Sequence, residues 1–201
     1  MKLFYAPGAC SLAVHIVLRE IGQPFELEKV DLKDHLTDQG EDYSQLNPKG
    51  YVPLLQMDNG QTLTEGPVIC QYLADQAGRG DLMPAAGSPL RYRVMEWQSF
   101  ITSELHKSFG ALFNKALGND AKAVFSDALH KRLDWVSRQL RGRPYLTGDD
   151  FTAADAYLFV ITLWADQMRL DTSACPELEE FKARVAERPA VREAMAAEGL
   201  A

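Results

Sequence analysis

The sequence predicts an α/β domain followed by an all-helical one, and two contrasts carry that expectation. Residues 1–76 mix strand-like alternation with helical spacing, whereas from about Leu90 onward nearly every segment repeats its apolar residues at three and four. Between the two regimes Ala77-Gly78-Arg79-Gly80-Asp81-Leu82-Met83-Pro84-Ala85-Ala86-Gly87-Ser88-Pro89 is dense in glycine and proline, as a linker is. The expected division is therefore residues 1–80 and residues 87–201. With 201 residues, 46% of them hydrophobic, the chain can bury a core in each part.

Taken in order, Lys2 to Ala6 reads as a strand, and Cys10 to Ile21 as a helix with Leu12, Ala13, Ile16, Val17 and Ile21 on one face. Gly22 ends it. Phe25 to Leu32 alternates like a half-buried strand, while Asp34 to Leu46 is ambiguous between a short helix and a loop. Val52 to Asp58 and Gln61 to Glu65, joined by Asn59-Gly60, form a hairpin signal of the two-residue type, which needs positive φ at both turn positions. Gly66-Pro67 starts a helix that runs through Val68 to Gln76. The order β-α-β-α-β-β-α makes a four-stranded mixed sheet.

Charge and cysteine usage narrow the function classes. A net charge of −7 argues against nucleic acid or an anionic membrane as partner, because both demand clustered Lys and Arg. No apolar run is long enough to span a bilayer, and the chain enters a strand at once instead of a signal sequence, so a soluble cytoplasmic protein is expected. Three cysteines at positions 10, 70 and 175, without metal-ligand spacing, suggest a reducing compartment and no metal site.

Cys10 is the most informative residue. The run Leu3-Phe4-Tyr5-Ala6-Pro7-Gly8-Ala9-Cys10-Ser11-Leu12 leads from a strand through a turn into a helix, so a thiol stands at a helix start. There the positive end of the macrodipole favours thiolate over thiol. Two readings are open at this point: a reactive or anion-binding cysteine, and a small buried hydrophobe.

Several segments together resemble the glutathione transferases, and specifically their bacterial beta class. They are the start Met1-Lys2-Leu3-Phe4-Tyr5 with Pro7-Gly8-Ala9-Cys10-Ser11-Leu12; Asn47-Pro48-Lys49-Gly50 with Val52-Pro53; Leu63-Thr64-Glu65-Gly66; Glu104-Leu105-His106-Lys107; Phe151-Thr152 with Ala154-Asp155-Ala156-Tyr157; and Ala186-Glu187-Arg188-Pro189 with Glu198-Gly199-Leu200. The likeness spans essentially the whole chain. It implies a thioredoxin-like domain that holds glutathione, a helical domain that supplies much of the second-substrate pocket, and a homodimer.

The same resemblance implies a glutathione site. Val52, before a cis Pro53, would pair its backbone with the cysteinyl unit of glutathione like one more strand. Glu65 would take the γ-glutamyl ammonium, and the helix start at Gly66 the carboxylate. His35 stands where beta enzymes commonly place a lysine, with Lys33 a possible substitute; Gly66 stands for a frequent serine and Ser99 for a frequent asparagine. Ser99, Ser103 and Glu104 are expected in the glutathione site, with Glu104 facing across the dimer axis. His106 is expected near the Cys10 sulfur as a second catalytic group. Tyr5, Ser11 and Lys107 are expected near the site without a settled role.

The function implied is a detoxifying transferase that presents the glutathione sulfur to small hydrophobic electrophiles, with thiol–disulfide exchange through Cys10 and no cofactor besides glutathione as co-substrate. The alternative is a non-catalytic ligand- or protein-binding module of the same fold. Thr152-Ala153-Ala154-Asp155 reads as a helix capping box, which makes Asp155 structural. Trp97, Trp135 and Trp164 read as core, and Phe109 to Phe113 as a possible pocket wall.

Overall fold

The computed structural model describes residues 1–200. Its first elements are β1 (Lys2–Tyr5), α1 (Ser11–Ile21), β2 (Glu26–Asp31), β3 (Leu36–Thr37), α2 (Tyr43–Leu46), β4 (Leu54–Gln56), β5 (Thr62–Thr64) and α3 (Gly66–Gln76). β1 is central: it pairs in parallel with β2 and antiparallel with β4, giving the order β3-β2-β1-β4-β5. The sheet thus has five strands rather than the expected four. The additional one, β3, spans only two residues, too few for any alternation to show in sequence. β3 and α2 together resolve the ambiguous stretch from Asp34 to Leu46.

The hairpin between β4 and β5 is real, but its turn differs from the two-residue expectation. Gly60 N–H donates to the Met57 carbonyl at 2.9 Å and Met57 N–H to the Gln61 carbonyl at 2.8 Å, which closes a three-residue loop. Gly60 takes φ 81 while Asn59 stays out of the left-handed region and instead accepts the Gln61 N–H on its side-chain oxygen at 3.0 Å. A type I turn followed by a left-handed glycine serves the hairpin as well as a double positive-φ turn does.

The second set comprises α4 (Pro89–Phe100), a π-helical turn (Ile101–His106), α5 (Lys107–Phe113), α6 (Asn119–Leu140), α7 (Ala153–Gln167) and α8 (Pro176–Ala186), followed by α9 (Pro189–Ala197). The buried residues Val94, Gln98, Ile101, Leu105, Phe109 and Leu112 keep one face through the π turn. His106, read from periodicity as mid-helix, ends that turn. α7 is buried almost throughout from Ala153 to Ala165 and is the hydrophobic centre of this unit.

The chain forms two compact units, Met1–Met83 with the stretch from Arg188 onward, and Pro84–Glu187. The stretch from Arg188 onward, which the expected division groups with residues 87–201, packs its helix α9 on α1 of the first unit. Arg188 clamps Glu20 with Nε at 2.7 Å and Nη2 at 3.0 Å, and Arg79 reaches the Glu20 carbonyl. Amphipathic periodicity identifies α9 as a helix but carries no information about which core receives its apolar face.

The capping box of α7 is present. The fully buried Asp155 carboxylate accepts Thr152 N–H at 2.8 Å, the Thr152 hydroxyl at 2.7 Å and Leu146 N–H at 2.8 Å. Burial outweighs these donors and pushes the Asp155 carboxyl up to about 6. Asp155→Ala should cost roughly 3 kcal/mol, because buried donors left unpaired cost about 1–3 kcal/mol each. The native state also holds the Asp155 proton to higher pH than the unfolded chain, so this residue's contribution should be fully present below pH ~4 and fall as pH rises toward about 6. Urea unfolding of wild type and Asp155→Asn between pH 4 and 7 checks this: the wild type should lose stability across that window relative to the variant.

Candidate active site

α1 begins where the turn after β1 delivers Cys10 as its N-cap residue, with φ −59 and ψ −18. Leu12 N–H donates to the Ala9 carbonyl and Ala13 N–H to the Cys10 carbonyl, so the helix winds directly out of the turn. Cys10 is partly exposed, and its thiol donates to the Val52 carbonyl at 3.3 Å. Cys70 and Cys175 are buried. Of the three cysteines, Cys10 alone is not buried.

The neighbours of Cys10 hold the turn. Ser11 is fully buried, and its hydroxyl both donates to the Ala6 carbonyl and accepts the Ala6 N–H, each at 3.3 Å. Its group is committed to the backbone. Gly8 N–H donates to Glu198 Oε2 at 3.0 Å, and Glu198 Oε1 lies 2.9 Å from His15 Nδ1. Arg19 Nε donates to His15 Nε2 at 3.3 Å, which makes Nδ1 the His15 donor toward Glu198. Tyr5 lies 6.2 Å from the His15 ring, and burial together with the Glu198 charge pushes its phenol up, so it stays protonated.

Val52 and Pro53, joined by a cis peptide bond, lie across from Cys10. The preceding segment is fixed from behind: the Tyr51 carbonyl accepts the Asn47 amide at 2.7 Å and the Tyr43 hydroxyl at 3.1 Å. Gly50 turns with φ 74, and a Cβ there would come within 2.9 Å of His35 Cε1. His35, itself left-handed at φ 53, is thus packed on the turn before Val52, with its Nδ1 buried and unbonded. Lys33 uses its N–H on Asp31 Oδ1 at 2.8 Å. Gly66 opens α3 close to Pro53: a Cβ there would lie 3.7 Å from Pro53 Cγ, an ordinary contact.

Glu65 caps α3 in a left-handed conformation, φ 69, which few non-glycine residues adopt. Its carboxylate has a partner that sequence reasoning missed: Lys49 Nζ reaches Glu65 Oε1 at 2.7 Å and Thr64 Oγ1 at 2.9 Å. Sixteen residues separate Lys49 from Glu65, and no local pattern marks the pair. The first unit therefore brings Cys10, Val52, Pro53, Glu65 and Gly66 onto adjoining segments, with Lys49 and Glu198 as additional members.

In the second unit the π turn and the helix residues flanking it carry the remaining candidates. Ser99, Ser103 and Lys107 are exposed. Glu104 is held by Arg132 of α6 through Nε and Nη2, both at 2.6 Å, a partner with no sequence signal. His106 meets α7 within its own unit: its Nδ1 is 2.5 Å from the Tyr157 hydroxyl, and its ring meets Trp164 edge-on at 4.8 Å. Fifty-one positions separate Tyr157 from His106, and no local pattern marks the pair. Phe109 and Phe113 join Trp164 at 6.0 and 5.5 Å, so Trp164 belongs to an aromatic group around His106. Trp97 and Trp135 differ from the core expectation: with Phe100 they form a cluster in which Trp135 is 39% exposed. Among the described residues no group of three or more His, Cys, Asp or Glu could hold a metal ion, and no helix is long and apolar enough to cross a membrane.

Burial pushes the Cys70 thiol up to about 12 and also raises Cys175, whose neighbouring carboxylates add to the effect. In the native protein at pH 7, iodoacetamide should label Cys10 far faster than either. Peptide mapping by mass spectrometry reads this directly, and equal rates at all three cysteines would return Cys10 to a packing role.

Comparison with known proteins converges on one family. Residues 8–76 match the family model for the glutathione S-transferase N-terminal domain, and residues 103–198 that for the C-terminal domain. The chain is 44% identical over 200 residues to the glutathione S-transferase GstA of Escherichia coli O157:H7, with 100% of both chains covered. Among solved structures it is similar to the bacterial transferase BphK in a ternary complex (52% identity, TM-score 0.97). A sphingomonad glutathione S-transferase complexed with glutathione (46%, 0.96) and a beta-class enzyme of Sphingomonas chungbukensis (43%, 0.96) are similar too. All three structural matches cover 100% of both chains. This agreement of both halves, over the full length and at such identity, means that the chain belongs to the glutathione S-transferase family, as a bacterial beta-class enzyme.

Proposed function

We propose that this transferase binds glutathione extended along Val52, with the γ-glutamyl end at Glu65 and Gly66, and directs the glutathione sulfur to Cys10. The observation that carries the reading is the Cys10 thiol at the start of α1, 3.3 Å from the Val52 carbonyl. An extended peptide pairing with the Val52 backbone would bring its own cysteinyl side chain to that thiol. In conjugation, the glutathione thiolate attacks the electrophilic carbon, and the C–S bond forms as the leaving group departs. In exchange, the Cys10 thiolate attacks oxidised glutathione; a Cys10–glutathione disulfide forms and one glutathione thiolate leaves. The positive end of α1 favours the thiolate in both steps.

The second unit's share rests on resemblance and on local chemistry. His106, its ring fixed by Tyr157, is assigned to stabilise the sulfur, and Phe109, Phe113 and Trp164 to receive a small hydrophobic electrophile. His35, Ser99, Ser103 and Glu104 are assigned supporting contacts to glutathione, with Tyr5, Ser11 and Lys107 outside direct contact. The part-exposed Trp97–Phe100–Trp135 cluster supports a homodimer, and the three free thiols suit a reducing cytoplasm.

Cys10→Ala tests the assignment. Exchange with oxidised glutathione should vanish, and the mixed disulfide seen by mass spectrometry on wild type should be absent. Conjugation of an aryl halide should persist in part, because it uses glutathione's own sulfur. Unaltered exchange in the variant would remove Cys10 from the mechanism. Light scattering at micromolar concentration should report twice the chain mass; a monomer would count against the paired arrangement.

A further inference from the structure

Assignment of Glu65 to the γ-glutamyl ammonium leaves Lys49 unexplained. Lys49 Nζ already occupies that carboxylate, 2.7 Å from Oε1, with Thr64 Oγ1 at 2.9 Å and the Tyr51 ring centroid 5.9 Å beneath. The two residues come from opposite borders of the proposed γ-glutamyl pocket. Lys49 belongs to the Asn47–Gly50 turn that leads into Val52, and Glu65 to the left-handed corner that leads into Gly66. Their side chains are 45% and 50% exposed, so water screens the attraction and the pair contributes little to folding. A surface pair of this kind costs little to open, and opening it uncovers one positive and one negative group side by side.

We propose that Lys49 is a specificity-determining residue of the glutathione site, the cationic half of a clamp for the zwitterionic end of the γ-glutamyl unit. That unit presents an α-ammonium and an α-carboxylate on one carbon, the mirror of the Lys49–Glu65 pair. On binding, the ligand ammonium replaces Lys49 at Glu65, and the lysine turns to the ligand carboxylate, which it shares with the N–H groups at the start of α3. One ion pair is exchanged for two and the local charge balance is kept, so no group is left buried and uncompensated. The long lysine stem, resting against Tyr51, has the freedom for this change of partner. The inference rests on the glutathione reading above and adds a residue and a selection rule to it.

Calorimetric titration of wild type, Lys49→Met and Lys49→Arg with two ligands tests the rule. One ligand is glutathione; the other is 4-aminobutanoyl-cysteinyl-glycine, which keeps the ammonium and lacks the α-carboxylate. Unfolding midpoints confirm that the variants fold, as expected for a screened pair. Lys49→Met should weaken glutathione binding about tenfold, the scale of one charge-assisted contact. It should leave the affinity for the analogue within about twofold, and Lys49→Arg should restore part of the loss for glutathione alone. Glutathione binding by Lys49→Met as tight as wild type or tighter would show that Lys49 merely competes for Glu65, and equal losses for both ligands would show that it only orients Glu65; either result overturns the proposal. Wild type failing to bind glutathione would instead overturn the function reading on which it rests.

Discussion

The Glu198 carboxylate, 190 positions along the chain from Gly8, accepts the Gly8 N–H at 3.0 Å, and the geometry around Cys10 depends on that contact. Gly8 belongs to the Pro7-Gly8-Ala9 turn that converts β1 into α1, and a helix N-cap can be no better placed than the turn before it. Glu198 is buried together with His15, and a buried carboxylate is costly unless its oxygens are bonded. Both oxygens are used: one by Gly8 and the other by His15, whose far nitrogen is oriented by Arg19. Ser11 adds a second tie from inside the turn to Ala6. The packing of α9 on α1 is thus tied to the site, since it delivers the carboxylate that holds the cysteine-bearing loop.

Rigid and adaptable parts divide the first unit's site between them. The proposed sulfur end is built from buried, bonded groups: Ser11, the cis Val52-Pro53 segment, and the Tyr51 carbonyl held by Asn47 and Tyr43. The proposed γ-glutamyl end is built from half-exposed charges, Lys49 and Glu65, on a backbone corner whose left-handed residue is not glycine. On the proposed reading, preorganisation suits the end where sulfur chemistry needs fixed geometry, and an exchangeable ion pair suits the end where a zwitterion would be taken from water.

Several features were legible in sequence because they are local. Helix α1 with its Gly22 stop, the β4–β5 hairpin and the Thr152–Asp155 box all arise from contacts within a few residues, and they occur near where periodicity and turn chemistry place them. Errors arose where local rules admit two solutions. Asn59-Gly60 serves a three-residue loop as well as a two-residue one, and Leu36–Thr37 is too short to announce a strand. The π turn from Ile101 to His106 keeps an apolar stripe that an α-helix would also show, so only its hydrogen bonding distinguishes it.

The sequence by itself determined the two-part organisation, the thiol at a helix start, and, through resemblance, the family. Each of these rests on residue type and spacing along the chain. Only the tertiary structure decided which groups meet across long separations: Glu198 with Gly8 and His15, Lys49 with Glu65, Arg132 with Glu104, and Tyr157 with His106. It also decided that α9 joins the first unit. Hydrophobic periodicity tells a helix which face to bury but not against what, and an ion pair formed by folding leaves no trace in the spacing of its two members.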